Sequence, residues 1–148
     1  MYDSLSEKVM SVEFNSLDEF LSKHGIRPTR QRMAIATHIF HKEQHLSADV
    51  ILERVNNDDS TSNVSKATVY NTLNLFVKEG ILKEVALDPQ RIIYDTNTDH
   101  HHHVLNTDNG EIRDIKPVDI NLSGIEGLQH EQDISGVDLI IKVRNTKD

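Results

Sequence analysis

The sequence predicts an α+β chain in two parts, a helical part followed by a small part built on a three-stranded sheet. Three observations predict it. Capped stretches with apolar residues at helical spacing fill residues 16–80. The pattern then changes to strand-like runs, beginning with a tight hairpin directly after the last helix. Three more strand-like runs follow, the first two parted by the turn signal Asp108-Asn109-Gly110.

Each element has its own reason. Residues 1–15 show no clear period and read as a loose arm or a short helix. Residues 16–24 read as a helix with Leu17, Phe20 and Leu21 on one face; Ser16 caps it and Gly25 ends it. Pro28 and Thr29 open a second helix, whose stripe is Met33, Ile35, Ala36, Ile39 and Phe40. Ser47 caps a third, with Asp49 in its first turn and Val50, Ile51 and Val55 as core candidates. A polar loop, Asn56 to Asn63, leads to a fourth helix that Ser65 caps and Gly80 ends. Its core face is Val69, Leu73, Phe76 and Val77; Lys66, Tyr70, Asn71, Asn74 and Lys78 fall largely on the other side.

Ile81–Leu87 and Ile92–Thr96 read as two strands joined by Asp88-Pro-Gln. Helices closed by such a hairpin form the pattern of a winged helix-turn-helix. We place that domain at residues 1–90 and the second at 91–148. The second reads as strands over about 101–106 and 111–115, a weakly patterned stretch from 117 to 135 holding a short helix, and a last strand from Val137 to Val143. So small a sheet has exposed edges and a thin core. A second copy would cover both, so a homodimer is expected.

Composition narrows the classes. The chain of 148 residues has no cysteine, which excludes disulfides and thiolate zinc sites. It has neither an apolar stretch of membrane-spanning length nor the basic start and apolar core of a secretory signal, so the expectation is a cytoplasmic protein with no membrane partner. The net charge of -8 argues against nucleic acid, but its distribution weakens that objection. Residues 1–87 carry 10 Lys/Arg against 12 Asp/Glu, whereas residues 88–148 carry 6 against 12. The excess acid is mostly C-terminal, and Arg27, Arg30 and Arg32 cluster in the N-terminal part.

Four consecutive histidines, His100–His103, follow the strand-like run Arg91–Asp95. Strand alternation sends His101 and His103 one way and His100 and His102 the other, with Asp95 sharing the parity of the first pair. Imidazole and carboxylate donors without thiolates suit a divalent ion such as Fe, Mn or Zn, or an imidazole-ligated haem. Both need neutral imidazoles, so binding weakens as pH falls through the histidine range. A solvated loop presents the same residues, and an affinity tag would be longer and terminal.

In a helix-turn-helix the second helix of the motif enters the major groove, which assigns residues 65–79 to reading. Tyr70 can meet a thymine methyl or a phosphate, and Asn71 an adenine edge. Lys66, Arg30 and Arg32 suit phosphates, and Arg27 a backbone or minor groove. Solvated polar residues would look the same one at a time; the order of helices, polar loop, capped helix and wing is what makes the group persuasive.

Five motifs occur in order: Gly25-Ile-Arg-Pro-Thr-Arg-Gln-Arg32, His45-Leu-Ser-Ala48, Ser65-Lys-Ala-Thr-Val-Tyr-Asn-Thr-Leu73, Tyr94-Asp-Thr-Asn97 and the histidine run. Together they resemble the ferric uptake regulator family over about residues 16–145. Asp95-Thr-Asn before histidines, Asp114-Ile115 and the absence of cysteine look closest to its iron response regulator branch, Irr. The resemblance implies a homodimer with winged-helix DNA-binding domains and an α/β dimerisation domain that carries metal. It implies a domain-bridging regulatory site at His45, Asp95, His101, His103 and Asp114. A second metal or haem site would use His100 and His102, but it looks incomplete: Gly136 stands where its last-strand ligand would be, and His130, close in sequence, could substitute but reads better as a surface histidine. A structural four-cysteine zinc site is absent, with Asn106 and Asn109 where two of its cysteines would stand.

The implied function is an iron- or haem-responsive regulator of iron and haem homeostasis genes that binds double-stranded promoter operators. The alternative is a metal-activated repressor (Fe, Mn or Zn), or a peroxide or metal sensor, of the same family. A metallohydrolase would need a general base and a substrate-cradling loop, neither of which is evident, so no enzyme is expected. A metal-storage protein would not need the Arg27–Arg32 cluster.

Overall fold

The computed structural model describes residues 16–61, 63–128 and 132–147. The expectation for residues 1–15 and the one for His130 lie outside that range. The chain divides into two compact units, one running to Thr98 and the other from Asp99.

Four helices build the first unit: α1 (Leu17–Lys23), α2 (Arg30–Ile39), α3 (Ala48–Asn56) and α4 (Lys66–Lys78). Each begins where a hydroxyl accepts a backbone N–H that the helix itself leaves unpaired. Ser16 takes Glu19, Thr29 takes Arg32, Ser47 takes Val50 and Ser65 takes Thr68. Pro28 lies just outside α2 rather than in its first turn. Gly25 and Gly80 follow α1 and α4 at φ of 75° and 80°, the left-handed region that only glycine enters cheaply. The amides of Ile26 and Ile81, one residue further on, turn back to the carbonyls of Leu21 and Phe76.

The buried faces meet in one core that includes Phe20, Ile35, Phe40, Ile51, Leu73, Phe76 and Tyr94. The rings of Phe20, Phe40 and Phe76 pack in a row, with centroids 5.6 and 5.7 Å apart. Three core assignments change. Val50 is exposed, because the inner face of α3 is Ala48, Ile51 and Val55. Thr72 is buried in α4, where Val77 is only partly buried. Ala34 is buried in α2, while Met33 lies at the edge of the core.

β2 (Lys83–Asp88) and β3 (Arg91–Asp95) form the wing, closed by Pro89-Gln90 with the Asp88 carboxylate accepting the Gln90 N–H. A two-residue strand, β1 (His45–Leu46), pairs antiparallel with β3, so the order is β1-β3-β2. β3 therefore stays in the first unit, beyond the division drawn from sequence after residue 90.

In the second unit β4 (His102–Asn106) is central, antiparallel to β5 (Ile112–Ile115) and parallel to β6 (Ile140–Val143). Residues 96–101 are not strand, so alternation cannot be carried from Asp95 to His101. The parity that grouped those residues has no physical basis across the break. No helix forms among the described residues of 117–135. No described helix is long and apolar enough to cross a membrane.

Candidate metal centre and nucleic-acid interface

Each unit positions its own donor atoms. In the first, the antiparallel register sets His45 opposite Asp95. His45 Nε2 lies 3.1 Å from Asp95 Oδ2. The Asp95 side chain is almost wholly buried, and its second oxygen accepts the Asn97 N–H at 2.9 Å. A carboxylate withdrawn from water this far needs partners or a cation to offset its desolvation. Sequence reasoning found both residues but missed β1, because two residues carry no periodicity.

In the second unit, Asp114 on β5 sits directly opposite His103 on β4. His101 Nε2 and His103 Nε2 approach to 3.0 Å, and Asp114 Oδ1 lies 3.3 Å from the first and 3.4 Å from the second. An ion with bonds of about 2.0–2.1 Å holds its donor atoms about 3–3.4 Å apart. The three spacings fit that requirement, and so does the His45–Asp95 spacing. Two ring nitrogens at 3.0 Å cannot both carry a proton toward each other. The Asp99 carbonyl lies 2.5 Å from His101 Nδ1 and accepts its proton, which leaves Nε2 as the donor atom for a metal. Nitrogen and oxygen donors without sulfur suit Fe, Mn or Zn.

His100 and His102 are arranged differently. Their rings meet edge to face at 5.2 Å, His100 exposed and His102 buried. His102 Nδ1 accepts the Leu139 N–H at 3.2 Å, which ties the approach to β6 onto β4. Neither joins a group of three or more metal donors among the described residues. The asparagines also have structural partners. Asn106 Oδ1 accepts the Asp108 N–H, Asn106 Nδ2 donates to Asn145, and Asn109 Oδ1 accepts the Glu111 N–H. They close the β4–β5 turn and fasten the C-terminal segment to it.

The residues expected to meet nucleic acid lie on the first unit. Arg27, Arg30, Lys66, Tyr70 and Asn71 are exposed, and Arg32 is half-buried with its guanidinium donating to the Arg27 carbonyl at 3.0 Å. Arg32 and Asn71 line one cleft between the start of α2 and the outer face of α4, together with Thr29, Gln31 and Thr68. Lys66 Nζ lies 6.0 Å from the Tyr70 ring centre and 4.0 Å from Asp49, an exposed ion pair worth little in water. Burial pushes the Tyr94 hydroxyl above the usual phenol range, and the charges of Glu84 and Tyr70 add to it.

A helix-turn-helix with a wing, followed by a histidine- and aspartate-bearing sheet, has known counterparts. The ferric uptake regulator family model matches residues 23–141. The chain belongs to the ferric uptake regulator family. Members of that family are transcription regulators rather than enzymes, and this chain is accordingly a metal-responsive transcriptional regulator. It is 31% identical over 143 residues to the peroxide-responsive repressor PerR of Staphylococcus aureus strain Mu50, covering 86% of this chain and 95% of the relative. Among solved structures it is similar to the ferric uptake regulator of Francisella tularensis with iron, at 25% identity and a TM-score of 0.64, over 82% of this chain and 92% of that one. A zinc-bound manganese uptake regulator matches at 26% identity and a TM-score of 0.62, over 88% of this chain and 98% of that one. These ferric uptake regulator neighbours bear out the expected fold class.

Proposed function

We propose that the chain is a metal-activated DNA-binding repressor, and that His45, Asp95, His101, His103 and Asp114 hold its switch ion. The observation that carries this is the donor set His101 Nε2, His103 Nε2 and Asp114 Oδ1, spaced as a divalent ion requires. His45 and Asp95 supply a second set with matching spacing in the unit that carries the reading helix. An ion held by all five residues would supply a cross-link between the two units. His45 and Asp95 would then carry α2 and α4 with them, and in a homodimer their orientation sets the spacing of two half-site contacts. Arg30, Arg32, Arg27 and Lys66 meet phosphates, while Tyr70 and Asn71 meet base edges. Dimerisation is the natural use of the second unit's exposed Val118, Ile120, Ile125, Leu128, Ile134 and Ile141.

The peroxide-responsive relatives and the metal-bound structures support this reading over an Irr-like haem response. Haem keeps one specific support, the exposed His100 beside His102 in a chain without cysteine. One experiment separates them: binding of metal-stripped protein to an iron-regulated promoter, repeated with Mn(II) and with hemin at fixed salt. The metal reading expects Mn(II) to tighten binding and hemin to leave it unchanged. Loss of binding with hemin, and no response to Mn(II), would establish the haem reading instead.

A further inference from the structure

The residue before His45 is bonded to three elements at once. Gln44 pairs its backbone with Thr96, the residue after Asp95: its N–H donates to Thr96 Oγ1 at 3.0 Å and its carbonyl accepts the Thr96 N–H at 3.3 Å. Its side-chain amide donates to the carbonyls of His38 and Ile39, at 3.2 and 2.6 Å. Those carbonyls end α2 and have no acceptor role within the helix, so the amide acts as a C-terminal cap. Its side-chain oxygen accepts from Arg54 Nη1, on α3, at 3.0 Å. Thr96 is fully buried, which holds the backbone half of the clamp away from competing water.

We propose that Gln44, with Arg54, is the positioning residue that transmits metal binding at His45 and Asp95 to the DNA-contacting helices. This rests on the metal-switch reading above. The two donors are strand neighbours, and the residues flanking them, Gln44 and Thr96, are hydrogen-bonded to each other. An ion that fixes His45 against Asp95 therefore fixes Gln44. Gln44 holds the last turn of α2, and α2 carries Arg30 and Arg32 in its first turn. A helix of ten residues is a stiff lever of about 15 Å. The Arg54 bond pulls α3, the first helix of the reading pair, into the same assembly.

Gln44 and Arg54 belong neither to the proposed donor set nor to the residues assigned to DNA, so their loss has a signature that loss of a ligand or of a DNA contact lacks. Gln44→Met keeps the length of the side chain and removes its three hydrogen bonds. DNA affinity of the parent and of this variant is measured with and without Mn(II), alongside Mn(II) affinity and amide exchange at Ile39 and Phe40. The parent should tighten on DNA by a factor in the range of about 5–150. The variant should bind Mn(II) and, without metal, DNA within about threefold of the parent, yet tighten by less than about threefold when loaded. Mn(II) should slow exchange at Ile39 and Phe40 in the parent and not in the variant. Should Gln44→Met fail to fold, Arg54→Met cuts the α3 arm alone and should lower the same ratio. A variant that tightens as the parent does overturns the clamp and leaves the metal switch standing. A variant weaker on DNA in both states with its ratio preserved shows a purely structural role and also overturns it. A parent that ignores Mn(II) overturns the metal switch, and the clamp with it.

Discussion

Two single residues decide whether the donor cluster behaves as the geometry implies. Asp114 is the one carboxylate among the second unit's three converging donors, and His103 faces it in register. Replacing Asp114 by alanine should weaken Mn(II) or Zn(II) by tenfold or more, read by calorimetric titration. An affinity equal to the parent's would mean that the cluster is not the site. Tyr94 gives a prediction of a different kind. Its hydroxyl is held above the ordinary phenol value of about 10, so the protonated form favours the folded state. That stability is fully present below about pH 10 and is lost as pH rises through the folded-state value. Tyr94→Phe should flatten the alkaline fall in urea midpoint between neutral pH and about pH 11. An unchanged fall would assign the alkaline loss to other groups.

At the scale of elements, α4 divides its labour between two faces. Phe76 is buried in the aromatic row, and its truncation to alanine should cost about 3–5 kcal/mol in denaturant unfolding. Val50 lies outside the core, so its truncation should cost no more than about 0.5 kcal/mol. Similar losses at both positions would contradict the packing described. On the outer face, Tyr70→Ala with Asn71→Ala should lower promoter affinity while Mn(II) affinity stays at the parent's value. Retained promoter affinity would move the reading surface elsewhere. Much of this was legible in the sequence, because capping hydroxyls, helix-ending glycines and 3.6-residue spacing are local signals. Ser16, Thr29, Ser47 and Ser65 all cap the helices they precede. Val50 was misjudged because one turn of α3 offers three adjacent apolar side chains, and only packing chooses among them. β1 was invisible because its stability comes from β3, fifty residues away along the chain. The break between Asp95 and His101 was equally invisible: an uninterrupted polar and histidine run looks the same whether or not it is paired.

For the whole molecule, the two units divide the chemistry. One carries the wing, the reading helix and the His45–Asp95 pair; the other carries His101, His103 and Asp114. The second unit buries little apolar surface of its own, with Val104 and Leu105 as its buried aliphatics among the described residues. Asn106 and Asn109 hold its turn by hydrogen bonds where family resemblance leads one to expect thiolates, and Asn106 also donates to Asn145 of the C-terminal segment. Chelation should therefore leave the fold of the first unit intact while removing the switch. In the proposed switch one ion would draw ligands from both units. Mn(II) titration of His45→Ala beside the parent tests it most directly, because His45 lies in the unit that does not hold the three-donor cluster. The parent should bind a single tight ion per protomer, and the variant should bind it at least about tenfold more weakly. A variant that binds that ion as tightly as the parent would show that the second unit holds it alone, and the proposed coupling to DNA would have no physical link.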